Sequence, residues 1–507
     1  MATTSFAKPA QCLYLCHGTM NHFNGFDLQA AARLSMTDHG FDAGFPLAVK
    51  DEVTAIQQHP PTLESSSATQ DMRSLPWSSI DNDTSRDLDQ IEVSDEVKDG
   101  SIRVRIGIAD VDACVPKGSA IDQFAAKQTT TVYTGVHNFS MLPDELSTGL
   151  TSLLENQDRL SVVYDFVVSP QGTVNSSAIY RATVRNKAQL AYPSVGAWLE
   201  TGANPPAKVA ASQEITRQLQ TQNRVAQLLR GQRYLHGALN LQTIETNPLM
   251  QDGQPVDIEM HQRNPATDLI EDFMIAANEV VARSLKKAGF SSIRRIVKIP
   301  KRWDRIVELA AQYGTKLPDA PDPRPLHDFL CERQKTDPDH FPDLSLAVVK
   351  LLGSGEYVLE RANETAEGHF GLAVQDYTHS TAPNRRYADL VTQRLVKAMV
   401  AGRKTPYSDD ELAVIAQQCT RQEDAARKVE REMRKRIAAV VMRGRIGQQF
   451  SAIITGVNDH GTFVRTKAPH VEGMLVRGSK GVDVGDKIQV TLLHTDPERG
   501  YIDFARS

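Results

Sequence analysis

Cysteine is scarce in this sequence, with five among 507 residues. An odd and mostly scattered set of cysteines does not make a disulfide scaffold and is typical of a reducing cytosol. Three potential metal ligands, Cys12, Cys16 and His17, lie close together near the N-terminus. No second pair of ligands follows at zinc-finger spacing, so zinc binding is the less favoured interpretation of this cluster.

Long apolar runs are missing as well. No stretch approaches the ~18 residues that a membrane-spanning helix needs, and the N-terminus lacks the basic and apolar segments of a signal peptide. We therefore expect a cytoplasmic protein that has no contact with a membrane. Nothing in the sequence predicts an obligate protein partner.

Neither sign of charge dominates, because 57 Lys and Arg side chains face 62 Asp and Glu side chains, for a formal net charge of −5. This balance of charge does not indicate nucleic-acid binding, but a local basic channel can still lie on an acidic protein. Internal repeats and low-complexity tracts are also absent from the sequence. The length instead predicts about three ordinary globular domains.

Composition and periodicity divide the chain into three parts, so the expected fold class is α+β and multidomain. Residues 1–70 predict a small helical or winged-helix-like unit and a linker, because two helical segments precede a stretch rich in Pro and Ser. Residues 71–443 mix strand and helix periods. Residues 444–507 hold five short β-type runs between Gly and Asp turns, which predicts a small barrel such as an OB-fold.

Particular elements can be predicted within the middle part. The alternation of apolar residues in "SIRVRIGIADV" indicates a β-hairpin over 89–111. Helical periodicity covers 213–230, 268–287, 385–401 and 409–443. The proline-rich stretch 318–342 is expected to be irregular.

The stretch "SIDNDTSRDLDQ" at 79–90 packs together four aspartates: Asp81, Asp83, Asp87 and Asp89. Carboxylates this close raise one another's pKa, which a chain tolerates in a wet turn or around a cation. A calcium loop nearly fits the spacing, but Arg86 stands where the sharp turn of an EF-hand requires glycine. A solvated turn, in which Asp side chains bond nearby backbone N–H groups, stays open from this stretch alone.

A divalent metal site is the other interpretation of these aspartates. Asp87 and Asp89 stand two residues apart where the chain enters the predicted strand, so their side chains point to one face. Asp81 can fold back onto that face through the turn. Carboxylate oxygens suit Mg²⁺ or Mn²⁺, and two such ions about 3.5–4 Å apart are common machinery for cleaving a phosphodiester.

Cationic donors for a phosphate occur in "STAPNRRYADLVTQR" at 380–394. Pro383 is expected to end one segment and let a helix begin near residue 384, with Arg385 and Arg386 in its first turn. Free N–H groups at a helix start attract phosphates, and arginine binds them with a fork of donors. The alternative is an ordinary surface pair between Arg385 and Asp389 at i,i+4 spacing.

Two further helical segments carry weaker signals. In "TDLIEDFMIAANEV", Asp268 is the expected N-cap, and Glu271 and Asn278 share one face, but an ordinary amphipathic helix accounts for this pattern. The basic segment 421–445 has an apolar stripe that predicts packing on the body of the protein. Its charged side either lines a path for RNA or is simply solvated.

Five segments occur in an order typical of one enzyme family: "IDNDTSRDLD", "IADVDACVPKGSAID", "YTGVHNFSMLPDELS", "IEDFMIAANE" and "HFGLAVQDYTHSTAPNRRYADLVTQR". Over about residues 78–400 they resemble the catalytic RNB domain of the ribonuclease II / ribonuclease R family. The final part, which contains "FSAIITGVNDHGTFVRT", resembles the S1-type OB-fold that ends these enzymes. The resemblance implies a mixed α/β RNB-type catalytic domain followed by an RNA-binding β-barrel.

The resemblance also implies an activity. It is that of a hydrolytic 3′→5′ exoribonuclease, which uses Mg²⁺ (or Mn²⁺ as a substitute) in a two-metal-ion mechanism and releases 5′-nucleoside monophosphates from single-stranded RNA or RNA with a 3′ overhang. Asp81, Asp87 and Asp89 match the metal ligands, with Asp89 the most critical. Arg385 matches the residue that holds the scissile phosphate, and Tyr133 the one that stacks on the 3′-terminal base, although on its own Tyr133 suggests a buried core tyrosine. The resemblance adds three RNA contacts: Glu271, Arg386 and Phe463.

This sequence departs from the family pattern in two places. The family has a second aspartate directly after Asp89, where this chain has Gln90, a neutral side chain with one carbonyl oxygen. One metal ion would then be held weakly unless Asp83 or Asp110 compensates. A catalytically weak or inactive RNA-binding protein of the same family is therefore an alternative. Residues 1–70 also do not resemble the cold-shock domains usual at this end of the family.

Overall fold

A seven-stranded sheet forms the centre of the computed structural model, which describes residues 26–62, 69–261, 263–364 and 367–507, without the side chains of Glu245 and His261. The first nine strands along the chain are β1 (Thr69–Asp71), β2 (Ser78–Asp81), β3 (Gln90–Glu96), β4 (Ile102–Ala109), β5 (Val132–Tyr133), β6 (Asn138–Phe139), β7 (Asp158–Val168), β8 (Val174–Arg185) and β9 (Ala188–Ala191). The sheet has the order β1-β8-β7-β4-β3-β2-β9, and β5 and β6 form a separate hairpin. Residues 81–89, which we call the acidic loop, join β2 to β3.

The hairpin predicted over 89–111 is confirmed, because β3 and β4 pair in antiparallel fashion with Ile91 opposite Gly107. Successive side chains of a strand point to opposite faces of a sheet. Every side chain of β4 from Val104 to Ala109 is nevertheless buried, so both faces of the central strands are covered. The acidic loop therefore sits at the edge of a rigid and well-packed layer.

The remaining strands form two small two-stranded sheets and a barrel. Their bounds are β10 (Glu245–Gln251), β11 (Gln254–His261), β12 (Ser292–Ile296), β13 (Glu356–Glu360), β14 (Gln449–Asn458), β15 (Gly461–Thr466), β16 (Glu472–Arg477), β17 (Lys487–Asp496) and β18 (Tyr501–Arg506). Strands β14 to β18 close into a five-stranded barrel in the order β14-β15-β16-β18-β17. The predicted OB-type barrel is thus confirmed.

Helices surround the sheet and connect it to the barrel. They are α1 (Leu28–Asp38), α2 (Leu47–Gln58), α3 (Ala120–Gln128), α4 (Tyr192–Thr201), α5 (Ala207–Ala210), α6 (Gln213–Leu235), α7 (Pro265–Lys287), α8 (Trp303–Gln312), α9 (Pro323–Thr336), α10 (Phe341–Leu352), α11 (Tyr387–Val400) and α12 (Asp409–Arg443). Four of them, α6, α7, α11 and α12, confirm the helices predicted from periodicity. Within the described residues, no helix combines the length and apolar character needed to cross a membrane.

The prediction of an irregular stretch over 318–342 is wrong. This stretch contains α9 and the start of α10, each with a proline in its first turn. The N–H that proline lacks has no partner in the first turn of any helix, so proline there starts a helix rather than breaking it. Asp322 caps α9 by accepting a hydrogen bond from the backbone N–H of Arg324.

The N-cap predicted for the helix that carries Glu271 is also wrong. The helix is α7, and its cap is Asn264, whose side chain accepts hydrogen bonds from the first-turn N–H groups, while Pro265 occupies the first helical position. Asp268 lies within the helix and forms ion pairs with Arg230 and Arg263. The helix therefore begins three residues earlier than its apolar period indicated.

The two N-terminal helices pack on the rest of the molecule. In α1, Ser35 and His39 form hydrogen bonds with Glu432 of α12, and in α2, Val49 and Val53 belong to the main hydrophobic core. Residues 26–62 contain no strand, so they do not supply the wing of a winged helix. The cluster of Cys12, Cys16 and His17 lies outside the described residues, and the division of the chain at 70 and 443 stays a prediction.

The barrel packs on helices that precede it in the chain. Arg465 of β15 forms an ion pair of 2.7 Å with Asp343 of α10, and the long helix α12 packs on β17 and β18. The apolar stripe of α12 is buried as predicted, from Ala426 to Val441. Seven basic side chains of the same helix are exposed: Arg421, Arg427, Lys428, Arg431, Arg434, Lys435 and Arg443.

The buried strand beneath the acidic loop should dominate stability. Ile91 of β3 is fully buried, so we expect Ile91→Ala to lower the free energy of unfolding by about 2–5 kcal/mol, through lost burial and the cavity left behind. Chemical denaturation of the full chain measures this change. Val97→Ala, at an exposed position just after the same strand, is the control and should shift stability by less than about 0.5 kcal/mol. Equal losses of stability in the two variants would contradict the burial of Ile91 in the core.

Candidate active site at the acidic loop

The acidic loop begins with a tight turn that Asp81 holds. One carboxylate oxygen of Asp81 accepts hydrogen bonds from the backbone N–H of Asn82 and, at 2.8 Å, from the hydroxyl of Ser85. The loop then leads into strand β3 rather than into a helix. The calcium-loop interpretation fails for this reason, since an EF-hand requires a helix after its loop. Asp83 is exposed in the turn.

Asp89 is the buried end of the loop, with 2% of its surface exposed. Its Oδ1 accepts a hydrogen bond of 3.1 Å from the backbone N–H of Asn384, and its Oδ2 lies 3.5 Å from Nε of Arg385. Burial raises the pKa of Asp89 to about 7 because it disfavours the charged form; Arg385 opposes this shift and Asp87 adds to it. A buried carboxylate with this pKa is poised to bind a cation.

The segment that meets Asp89, residues 380–386, is braced from several sides. The backbone N–H and the hydroxyl of Ser380 both donate to Oδ1 of Asn278 in α7, and the hydroxyl of Tyr164 in β7 donates to the carbonyl of Ser380. Asp389 of α11 accepts hydrogen bonds from two backbone N–H groups of the segment. These contacts fix the backbone that presents Arg385 to the acidic loop.

The two arginines of this segment have different environments. Helix α11 begins at Tyr387, so both arginines precede it, contrary to the prediction that they lie in its first turn. Asp389 pairs with Arg386, at 2.7 and 2.8 Å, and not with Arg385 as the surface-pair alternative proposed. The side chain of Arg385 is 44% exposed and remains directed at Asp89. An RNA contact by Arg386 stays a prediction.

Tyr133 is tied to the same segment through its strand. The backbone N–H of Thr131 donates to the carbonyl of Arg385 at 3.0 Å, and the N–H of Tyr133 itself donates to Glu430 of α12 at 3.1 Å. With 40% of its surface exposed, Tyr133 is not a buried core tyrosine. Burial of the hydroxyl, together with the charges of the three aspartates of the site, raises its pKa to about 12, so the phenol stays protonated.

Asp87 completes the group at the mouth of the site. It is half-buried, and burial raises its pKa, with Arg385 opposing the shift and the charges of Asp81 and Asp144 adding to it. Asp144, an exposed residue outside the acidic loop, did not stand out in the sequence. The mutual effects of these charges place Asp81, Asp87 and Asp89 around one region, beside Arg385.

Asp110 and Asp83, the two residues predicted to compensate for Gln90, lie in different environments. Asp110 is buried and already bonded, with its carboxylate 2.6 Å from Nζ of Lys397 and 3.3 Å from Nε of Arg181. It is therefore not free to hold a metal ion. Asp83 is exposed and precedes the buried end of the loop by six residues. Gln90 itself is half-buried at the first position of β3.

The donor set of the loop fits a hard divalent cation. Asp81, Asp87 and Asp89 supply only oxygen ligands, and their negative charges repel one another. In the described part of the chain, no three His, Cys, Asp or Glu side chains already stand close enough to form a finished metal cage.

Glu271 lies away from this group. It pairs with Arg263 and lines a cavity of about 270 Å³ whose walls include Arg230, Arg233 and His369 but none of the three aspartates. Phe463 lies in the barrel, half-buried on β15 opposite Met474. The roles predicted for these two residues in RNA binding stay predictions.

Several residues that build the site were missed by sequence reasoning. They hold the site together through hydrogen bonds: Tyr164, Asn278, Asn384 and Glu430. Helical periodicity placed Asn278 on a face of α7, but no local pattern indicates which distant segment that face meets. A buried asparagine in an otherwise apolar helix face was the one available signal.

Two family profiles match the chain. The RNB domain matches residues 69–402, and the RNase II-type exonuclease C-terminal S1 domain matches residues 448–507. The chain belongs to the RNB family. The acidic loop, Tyr133 and Arg385 all lie within its RNB domain, and Phe463 lies within its S1 domain.

Relatives of this RNB protein include bacterial ribonucleases R. Ribonuclease R of Vibrio parahaemolyticus is 30% identical over 466 residues, which are 89% of this chain and 54% of the relative. Ribonuclease R of Aquifex aeolicus is 28% identical over 496 residues, which are 92% of this chain and 68% of the relative. The chain thus spans between about half and two thirds of the length of such relatives.

Solved structures share the fold. The apo form of Mycoplasma genitalium RNase R superposes with a TM-score of 0.83 at 23% identity, over 95% of this chain and 78% of that chain. Yeast Ssd1, a pseudonuclease, gives a TM-score of 0.65 at 16% identity, over 92% of this chain and 56% of that chain. The RNB fold therefore occurs both in ribonuclease R and in a pseudonuclease, so function has to be argued from the site.

The raised pKa of Asp89 predicts a pH-dependent stability. A folded-state pKa of about 7 exceeds the ordinary ~3.9 of an unfolded aspartate. The native state therefore keeps a proton that the unfolded chain loses, and its stability falls as pH rises from ~4 to ~7. We expect Asp89→Asn to raise the Tm of the metal-free protein, and to raise it more at about pH 8 than at about pH 5.

Thermal unfolding in EDTA at the two pH values measures this difference. Asp83→Asn removes an exposed charge from the same loop and should give a small and equal shift at both values. If the gain in Tm from Asp89→Asn does not grow with pH, ionisation of Asp89 does not destabilise the folded state, and the prediction fails.

Proposed function

We propose that the protein is a hydrolytic 3′→5′ exoribonuclease that degrades RNA from its 3′ end to 5′-nucleoside monophosphates. One observation carries the proposal: buried Asp89 faces the guanidinium of Arg385 at 3.5 Å, in a site that Tyr133 borders. Carboxylates, a phosphate-binding cation and a stacking aromatic are the three groups that cleavage of a terminal phosphodiester needs. The membership of the chain in the RNB family supports this assignment.

Asp81, Asp87 and Asp89 are the residues that would hold Mg²⁺, with Mn²⁺ as a substitute. A pair of such ions, when bound, activates the attacking water and stabilises the leaving oxygen. Asn384 holds Asp89 in place through its backbone N–H. Arg385, always charged and partly exposed, binds the non-bridging oxygens of the scissile phosphate and offsets the negative charge that develops on them.

Division of labour between the arginines supports this role for Arg385. Asp389 accepts two hydrogen bonds from the guanidinium of Arg386, so the charge of Arg386 is neutralised. The pair helps to hold the segment at 380–386 in place. The guanidinium of Arg385, 3.5 Å from Asp89, is partly exposed and accessible to substrate. In this proposal Arg385 binds the scissile phosphate, and Arg386 contacts RNA only at the edge of the phosphate site.

The substrate in this proposal is single-stranded RNA or RNA with a 3′ overhang. Tyr133 stacks on the 3′-terminal base, a contact that tolerates any base because each has a π-face. The exposed basic residues of α12 attract the phosphate backbone as the strand approaches. In the S1 barrel, Phe463 is a further stacking surface for the strand.

A catalytically weak or inactive RNA-binding protein is the second candidate, and Gln90 is the observation that favours it. A neutral side chain replaces one expected carboxylate, Asp110 cannot compensate because Lys397 holds it, and the fold also occurs in a pseudonuclease. This candidate predicts RNA binding with steep salt dependence and no release of mononucleotides in Mg²⁺ or Mn²⁺.

The decisive variant is Asp89→Asn. We expect it to abolish degradation of 5′-labelled single-stranded RNA while RNA binding persists, because it removes a metal ligand but leaves Tyr133 and Arg385 in place. The time course is measured by gel electrophoresis, and EDTA should stop the wild-type protein in the same way. Asp83→Asn, in the exposed part of the same loop, is the matched control and should degrade RNA like the wild type.

Direction of attack is tested on RNA with a blocked 3′ end and on circular RNA. Both should resist the wild-type protein, and internal cuts in the circle would identify an endonuclease instead. If the wild-type protein binds RNA but releases no mononucleotide with either metal ion, the second candidate replaces the first.

Stacking by Tyr133 makes a separate prediction. In the Asp89→Asn background, Tyr133→Ala should weaken binding of single-stranded RNA by roughly 5- to 150-fold, which corresponds to about 1–3 kcal/mol for one stacked base. Tyr133→Phe keeps the ring and should bind within about twofold of the parent protein. Fluorescence anisotropy measures both values, and a loss of affinity in the phenylalanine variant would assign the contact to the hydroxyl instead of the ring.

A further inference from the structure

Strand β3 carries a carboxylate that no contact explains. Glu92 has 1% of its surface exposed, and neither of its carboxylate oxygens has a hydrogen-bond partner among the residues that the structure describes. Buried carboxylates without partners are rare, because leaving water costs several kcal/mol unless a proton, a cation or hydrogen bonds replace it. Glu92 is therefore either protonated or bound to a partner that the described side chains do not supply.

Glu92 shares its strand face with Gln90. Side chains two residues apart in a strand point the same way, so Gln90, Glu92 and Ser94 form one row. Helix α6 covers the far end of this row, where Gln218 exchanges two hydrogen bonds with the backbone of Ser94. Gln90 lies at the open end, beside the acidic loop. Glu92 is thus one step deeper than the position where the family pattern has its second aspartate.

The electrostatic neighbours of Glu92 belong to the same site. In the pairing of β2 with β3, Glu92 lies opposite Ser78, and Asp81 ends the same short strand three residues later. The negative charge of Asp81 acts on Glu92, and both charges act on the buried hydroxyl of Tyr192. Glu92 therefore borders the acidic loop on the side of Asp81, whereas Arg385 borders it on the side of Asp89.

We propose that Glu92 supplies the carboxylate that Gln90 lacks and, together with Asp81, helps to hold a divalent cation. The inference rests on the proposed function, because it adds a ligand to the metal site of that function. The longer side chain of glutamate reaches back along the strand toward Asp81. Gln90 offers its neutral carbonyl oxygen to the same ion. The protein thereby keeps the number of acidic groups usual in the site but moves one of them two residues along β3.

Binding of Mn²⁺ to the full chain, without RNA, tests the proposal independently of catalysis. Free Mn²⁺ is quantified by electron paramagnetic resonance for the wild type, Asp81→Asn, Glu92→Gln and the double variant Gln90→Asp/Glu92→Gln. We expect Asp81→Asn and Glu92→Gln each to weaken Mn²⁺ binding by about tenfold or more. The double variant should regain most of the lost affinity, because it returns a carboxylate to position 90.

Glu96→Gln is the matched control. Glu96 is on the same strand but is exposed and pairs with Arg224, so its replacement should leave Mn²⁺ affinity unchanged. Glu92→Gln keeps the size of the side chain and removes only its charge. If that variant does not fold, Glu92→Asp decides, since a shorter carboxylate should weaken Mn²⁺ binding if it holds the ion and leave binding unchanged otherwise.

The outcomes separate this inference from the proposed function. Wild-type affinity in Glu92→Gln, with a loss in Asp81→Asn, overturns the role of Glu92 and leaves the metal site intact. Wild-type affinity in both variants overturns the metal site and the proposed function with it. A loss in Glu92→Gln that Gln90→Asp reverses supports the relocated carboxylate.

Discussion

The contact between Asp89 and the segment at 384–385 is the one on which the site depends. It joins two parts of the chain that are 295 residues apart in sequence, through the backbone N–H of Asn384 and the guanidinium of Arg385. Without it, Asp89 would be a carboxylate buried at the edge of a sheet with no compensation. With it, the acidic loop and the guanidinium of Arg385 face each other at 3.5 Å.

The rest of the structure keeps that contact in place. Asn278 and Asp389 accept the backbone N–H groups of the segment, and Asp389 also takes the fork of Arg386. These buried hydrogen bonds restrain the backbone of the segment at several points. The hydrogen bond from Thr131 to the carbonyl of Arg385 extends the network to the strand that carries Tyr133. Positioning of the reacting groups is thus a property of several elements at once.

The two sides of the acidic group differ in how their negative charge is compensated. Arg385 offsets the charge of Asp89, but the side of Asp81 contains Glu92 and no paired cation that contacts it in the described residues. A cation that binds there would relieve the repulsion among these carboxylates. Gln90 therefore need not mark a loss of activity. On the proposal made above, Glu92 returns to the site the carboxylate that the linear motif lacks at position 90.

The sequence by itself determined the type and order of the elements. Period-two and period-3.6 patterns located the hairpin, the main helices and the five barrel strands, because those patterns reflect burial on one face. Prolines misled the prediction of α9, since their effect depends on the helix position they occupy. Only the tertiary structure decided that Asp389 pairs with Arg386, that Tyr133 is partly exposed and that Glu92 is buried. These facts depend on contacts between residues far apart in the chain, which no local pattern encodes.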